Sequence, residues 1–260
     1  MRNIRVAVWG FGAMGGGITK VLLQKTGVEI TGVCDLHPNR VGKSIFALLD
    51  LARGDRADVI VNSDIDAVLT KKSADVCIVA TDSFTKDVYP KLVKVLSRGI
   101  NAISTAEEMS YPAAKQPELA KEIDRVAKEH GVTALGTGIN PGLMMDLLAI
   151  CLTGCMTSVD KVTCRRVNSL SPFGPLVMQE QGVGLTPEEF DEGVAKGELA
   201  GHVGFIESVG MISQAIGWRI DEFSQQMAPI LTEVDRKSPY GFAARGNVAG
   251  VNMTGQGYLD

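Results

Sequence analysis

Two adjacent carboxylates, Glu107 and Glu108, directly follow the apolar stretch Ile100-Asn101-Ala102-Ile103-Ser104-Thr105. A carboxylate at a strand end can serve as general acid or base toward a water or an amine. The plainer alternative is an acid pair in a first helical turn, favoured by the helix dipole. Further along, His202 lies within Gly201-His202-Val203-Gly204, just ahead of a helical pattern, and is expected to be exposed and open to a ligand. Arg165 and Arg166 fall on an alternating segment, so at most one of them faces a cleft; Arg165 is taken as a candidate fork for a substrate carboxylate. The turn Asn140-Pro141-Gly142 is a further candidate substrate contact.

A second constellation stands at the N-terminus. The apolar run Ile4-Arg5-Val6-Ala7-Val8-Trp9 leads into Gly10-Phe11-Gly12-Ala13-Met14-Gly15, a helical pattern, a second apolar run and then Asp35. Gly10 suits a tight turn, Gly12 a close backbone approach to a pyrophosphate, and Gly15 a helix packed against the strand with its N-terminal N–H groups facing the anion. Asp35, about 20 residues past Gly15, is placed to accept the hydroxyls of an adenosine ribose. Arg40 is suited to a 2'-phosphate that Asp35 alone would repel, so the pair allows both NAD and NADP.

These groups need strands that end in one place. Hydrophobic patterning predicts helices at 41–51, 65–69, 84–98 and 117–130, and strands at 59–61, 74–80, 100–105 and 132–135. The alternation gives an α/β Rossmann domain over 1–142, a doubly wound parallel sheet whose ligand lies beyond the carboxyl ends of its strands. Thr81, Asp82, Ser83 and Thr105 then line the nicotinamide half of the cleft. From residue 143 the pattern changes to a helix at 143–152, a strand at 159–167, a long loop at 169–185 and a capping box at Thr186 and Glu189. A helix at 205–216 and a tail of strands and turns complete a second, α+β domain over 143–260 for substrate binding and dimerisation.

Composition narrows the possible partners. A formal charge of -4, with no basic cluster, argues against nucleic acid. No long apolar run suits a membrane, and no leader segment precedes the first strand, which points to the cytoplasm. Five cysteines without paired spacing read as reduced and mostly buried, and no metal site is expected.

The glycine motif, Ser104-Thr105-Ala106-Glu107-Glu108, Gly138-Ile139-Asn140-Pro141-Gly142 and Gly201-His202-Val203-Gly204 together resemble the 2,4-diaminopentanoate dehydrogenase family. These amine dehydrogenases are related in fold to dihydrodipicolinate reductase and diaminopimelate dehydrogenase. The resemblance implies NAD(P)-dependent oxidative deamination of a diamino acid at C4, giving 2-amino-4-oxopentanoate and ammonia, a step of ornithine fermentation. It also implies that Glu107 or Glu108, with Glu108 first, is the acid/base, and that the C-terminal domain is incomplete. A homodimer is the expected assembly. The alternatives are a reductase or diaminopimelate-type oxidoreductase, and a non-catalytic nucleotide-binding sensor or partner subunit.

Overall fold

The computed structural model describes residues 2–259. The chain divides into two compact units, 1–142 and 143–260. In the first, β1 (Ile4–Trp9), β2 (Val28–Cys34), β3 (Val61–Asn62), β4 (Val76–Val79), β5 (Asn101–Ser104) and β6 (Ala134–Gly136) form one parallel sheet in the order β3-β2-β1-β4-β5-β6. The helices are α1 (Ala13–Leu22), α2 (Ile45–Leu48), α3 (Ile65–Val68), α4 (Thr85–Leu96) and α5 (Pro117–His130). This is the doubly wound order, whose topological switch lies between β1 and β4. The strands are short and rich in Val and Ile because both faces of the sheet are covered. On one face Ala7, Cys77 and Val79 pack with Val88 and Leu92 of α4 and Ile123 and Val126 of α5; on the other Val6, Val8, Ile30 and Val33 pack with Ile45 and Phe46.

The sequence pattern overextends one helix here. Residues 41–51 yield only the four-residue α2, because Gly42 adopts φ +78° and donates its N–H to the Val61 carbonyl at 2.9 Å. Ser44 then caps the short helix by accepting the Phe46 N–H. The 59–61 strand accordingly shifts to Val61–Asn62, with Ile60 in an isolated bridge to Ser44.

The second unit contains α6 (Leu147–Thr153), α7 (Pro175–Glu180), α8 (Pro187–Lys196) and α9 (Phe205–Ile216). A long antiparallel pair, β7 (Glu222–Leu231) with β10 (Val248–Tyr258), and a short one, β8 (Arg236–Lys237) with β9 (Phe242–Ala243), complete it. The capping box is formed: Thr186 accepts the Glu189 N–H while the Glu189 carboxylate accepts the Thr186 N–H.

Three expectations fail in this unit. The 143–152 helix starts only at Leu147, because Asp146 caps it by accepting the Leu147 N–H at 2.6 Å. Residues 159–167 form no strand, since among the described residues β7 and β10 pair only with each other. The 169–185 loop encloses α7; Gly174 is its N-cap and Pro175 its first residue, so the Gly and Pro that suggested a loop are helix-start signals. The cysteines also divide: Cys34 and Cys77 are buried, whereas Cys151 and Cys155 are exposed on and just past a helix with no buried position.

Candidate active site

The glycine turn occupies the switch point. Gly10 has φ +94°, and a Cβ there would lie 2.4 Å from the Ala80 carbonyl oxygen, so the ends of β1 and β4 meet only across a glycine. A Cβ on Gly15 would lie 1.8 Å from the Gly10 carbonyl oxygen, which lets α1 begin against the strand. At Gly12 the surroundings are open, the nearest atom to a built Cβ being Arg40 Nη1 at 4.0 Å. Phe11 is buried, while Ala13 and Met14 at the start of α1 are exposed. Two glycines closed by backbone and one left open at a helix N-terminus form the cradle that a dinucleotide pyrophosphate requires.

Asp35, just past β2, is buried, and its carboxylate accepts the Phe11 N–H at 2.6 Å and the His37 N–H at 2.7 Å. Arg40 Nη1 lies 3.3 Å from both carboxylate oxygens. Burial opposes ionisation of Asp35, but the two N–H donors and Arg40 outweigh it and hold the carboxyl below its usual range. Asp35 therefore stays charged and fixes the middle of the glycine turn to the end of β2.

Beyond β4, Thr81 donates to Asp82 at 2.5 Å, and Lys91 of α4 donates to Thr81 at 3.0 Å and pairs with Asp82. Ser83 contributes a backbone clasp, its carbonyl accepting the Glu108 N–H at 3.2 Å. Thr105, partly buried, ties the end of β5 to β4 through its N–H on the Val79 carbonyl at 3.1 Å.

The two glutamates are not equivalent. Both lie in a 3-10 turn, Glu107–Ser110, immediately past β5. Glu108 is buried; one carboxylate oxygen accepts the Thr85 N–H at the start of α4 at 2.8 Å and the other lies 3.3 Å from Lys115 Nζ. It thus serves as the anion at the N-terminus of α4. Glu107 is half-exposed, and among the described residues no hydrogen bond or ion pair holds its carboxylate. The turn is backed by β6: a Cβ on Gly136 would lie 1.7 Å from the Met109 carbonyl oxygen. Asn140 is partly buried, Pro141 and Gly142 are buried, and the Asn140-Pro141 bond is cis.

Arg165 and His202 belong to the second unit, where Arg165 is exposed. His202 is not the open residue that its glycine neighbours suggested. It is part-buried, its ring stacks edge-on against Phe205 at 5.7 Å, and its N–H donates to the Met253 sulfur at 3.0 Å. Burial, and then the nearby Arg166 charge, push its imidazole down to about 4, so the ring is neutral at pH 7. Sequence patterning did not single out Lys91 or Lys115, because two lysines on polar surfaces carry no motif. Among the described residues no helix is long and apolar enough to cross a membrane, and no group of three or more His, Cys, Asp or Glu is gathered as a metal ion would need.

With this geometry in place, comparisons with known proteins decide the family. Residues 143–260 match the model of the 2,4-diaminopentanoate dehydrogenase C-terminal domain. A curated 2,4-diaminopentanoate dehydrogenase from Acetoanaerobium sticklandii is 57% identical over 261 residues, spanning 100% of this chain and 73% of that protein. The chain belongs to the 2,4-diaminopentanoate dehydrogenase family. A solved amine dehydrogenase from Mycobacterium smegmatis is 28% identical, covers 99% of this chain and 75% of its own, and superposes with a TM-score of 0.80. A curated amine dehydrogenase from Streptomyces virginiae is 22% identical over 85% of this chain and 62% of its own length. The chain is therefore an oxidoreductase using a nicotinamide nucleotide, and the deamination reading is favoured over the reductase, diaminopimelate-type and sensor alternatives.

Proposed function

We propose that this chain oxidatively deaminates 2,4-diaminopentanoate at C4, yielding 2-amino-4-oxopentanoate and ammonia, with NAD or NADP as electron acceptor. The observation that carries this reading is the 57% identity, over the whole chain, to a protein named for that activity. The chemistry that a bound nicotinamide supplies is acceptance of a hydride from C4. Gly10, Phe11, Gly12, Ala13, Met14 and Gly15 would hold the pyrophosphate, Asp35 and Arg40 the adenosine ribose, and Thr81, Asp82, Ser83 and Thr105 the nicotinamide ribose. Water then adds to the C4=N carbon as Glu107 takes its proton. Glu107 returns that proton to the nitrogen of the resulting carbinolamine, the C–N bond breaks as ammonia leaves, and the hydroxyl proton passes to Glu107 as the C4 carbonyl forms.

Glu107 is preferred to Glu108 for this proton transfer because Glu108 is already committed to the Thr85 N–H and faces Lys115. Arg165 and a neutral His202, both of the second unit, are the contacts proposed for the diamino acid. In this reading residues 1–142 hold the nucleotide, 143–260 bind substrate and join two copies into a homodimer, and the enzyme serves ornithine degradation in the cytoplasm.

The test is amine-dependent formation of reduced nicotinamide by single variants. Glu107→Gln is expected to lower turnover by about 10²-fold or more, with nucleotide binding retained. Unchanged turnover in both Glu107→Gln and Glu108→Gln would remove the glutamates from the mechanism. A wild-type chain that binds nucleotide but reduces none with the diamine would end the substrate assignment.

A further inference from the structure

Two thioethers converge on the glycine ahead of His202. Met227 of β7 and Met253 of β10 are cross-strand partners in the ribbon, so their side chains share one face. Gly201 is buried with φ +60°, and a Cβ built on it would lie 2.5 Å from Met253 Sδ and 2.6 Å from Met227 Sδ. The backbone there rests on both sulfurs, with no room for one further carbon. The next residue completes the clasp, because the His202 N–H donates to Met253 Sδ at 3.0 Å, a close approach for so large an acceptor. Around it, the Gly201 N–H donates to the Glu180 carbonyl at 3.1 Å, and the His202 ring meets Phe205, the first residue of α9. A thioether suits this place because it packs as an apolar group and still accepts weakly. Met227 and Met253 are half-buried, within reach of a small oxidant, whereas Met109 and Met178 are each only 5% exposed.

We propose that Met253 is a modification site: oxidation of its thioether to the sulfoxide by a peroxide lifts Gly201 and His202 off the ribbon, and with them the diamine contact proposed at His202. A sulfur lone pair attacks one peroxide oxygen, an S–O bond forms as the O–O bond breaks, and water leaves. Sulfur loses the two electrons that the peroxide gains. The product replaces a flexible apolar side chain by a polar, chiral one. An oxygen on the lone pair that faces His202 must stand inside a 3.0 Å approach, and one directed at Gly201 meets backbone with no space for a Cβ. Met227 lies against the same glycine, so the segment has a sulfur on either strand of the ribbon and gives way when Met253 changes. The loss of diamine binding rests on the role proposed for His202; the displacement does not.

Hydrogen peroxide on the full chain tests both parts. Peptide mass mapping is expected to show sulfoxide at Met253 before Met109 and Met178. Once it has formed, amide exchange should rise by about 10-fold or more at Gly201, His202 and the first turn of α9, with α8 unchanged. KM for the diamine should rise by about 5-fold, the scale of one lost hydrogen bond, and methionine sulfoxide reductases A and B should restore it. Met253→Leu, of similar volume, should show no further rise after peroxide, whereas Met227→Leu should respond as the wild type does. Calorimetric titration with NAD+ reports separately on oxidation of the exposed Met14. The site is overturned if Met253 stays reduced while Met14, Met144 and Met156 are oxidised, if its sulfoxide leaves exchange unchanged, or if Met253→Leu keeps the response. Faster exchange without a change in KM upholds the site and removes His202 from the diamine contacts. A wild type that reduces no nucleotide with the diamine ends the deamination reading, and exchange alone then decides the site.

Discussion

The two units reach stability by different routes. Residues 1–142 place apolar strands between two helical layers, so both faces of one sheet are dry and the polar groups collect at the strand ends. In residues 143–260 the longest strands form a two-stranded ribbon, and Met178, Phe190, Ile212, Ala243 and Val248 are the buried apolar side chains among the described residues. The interior there includes Asp146, Gln181, Glu207, Ser208, Ser213 and Thr232, and Asp146 accepts the Ser208 hydroxyl at 2.9 Å. A dry sheet spreads its stabilisation over many contacts, whereas a sparse, polar core concentrates it in a few.

Phe190→Ala should make the contrast largest. Phe190 is fully buried, and its truncation is expected to cost about 3–5 kcal/mol, seen as an early denaturant transition while nucleotide binding by the first unit survives. Nucleotide binding lost in parallel would break the contrast. Acid should come next. His202 is pushed down to about 4, so the unfolded chain takes up its proton first, and stability should fall as pH drops from about 6.5 toward about 4. Denaturant midpoints at pH 7 and 5 check this, and His202→Gln should flatten the difference.

Glu108→Ala should cost about 1–3 kcal/mol by leaving the Thr85 N–H without its acceptor, with faster hydrogen exchange confined to the first turn of α4. An unchanged exchange pattern would show that the clasp is idle. The gentlest probe alters no residue. Thiol labelling at pH 8 should modify Cys151 and Cys155 first and Cys34 and Cys77 last, because burial pushes the latter two thiols up to about 11 and about 12. Early modification of Cys77 would mean that the sheet opens more readily than its packing implies.

Legibility in the sequence followed the same division. The first unit could be read closely because each strand is an apolar run bounded by glycine or polar residues, and α5 falls on Pro117–His130 as patterned. The failures have physical causes. Residues 41–51 have helical spacing, but Gly42 in a left-handed turn stops the helix, and 169–185 read as a loop because Gly174 and Pro175 mark a helix start as readily as a break. Glu107 and Glu108 are visible as a pair, and the family resemblance puts Glu108 first, but no local pattern separates them. What distinguishes them is the Thr85 N–H, brought up from 23 positions away by the sheet. His202 looked open for the same reason, since Met253 approaches from 51 positions along the chain.

Gly136 gives the glutamate turn a hard stop. A single methyl group there would overlap the Met109 carbonyl, so the last residue of β6 works as a gauge block that sets how far the turn stands from the sheet. On the far side Ser83 and Thr85 hold the same turn by its backbone and by Glu108. A carboxylate mounted between a stop and a clasp has its height fixed by covalent geometry rather than by its own side-chain contacts. The position of the Glu107 carboxylate should therefore be more sensitive to one carbon atom added at position 136 than to most changes among its solvent-facing neighbours.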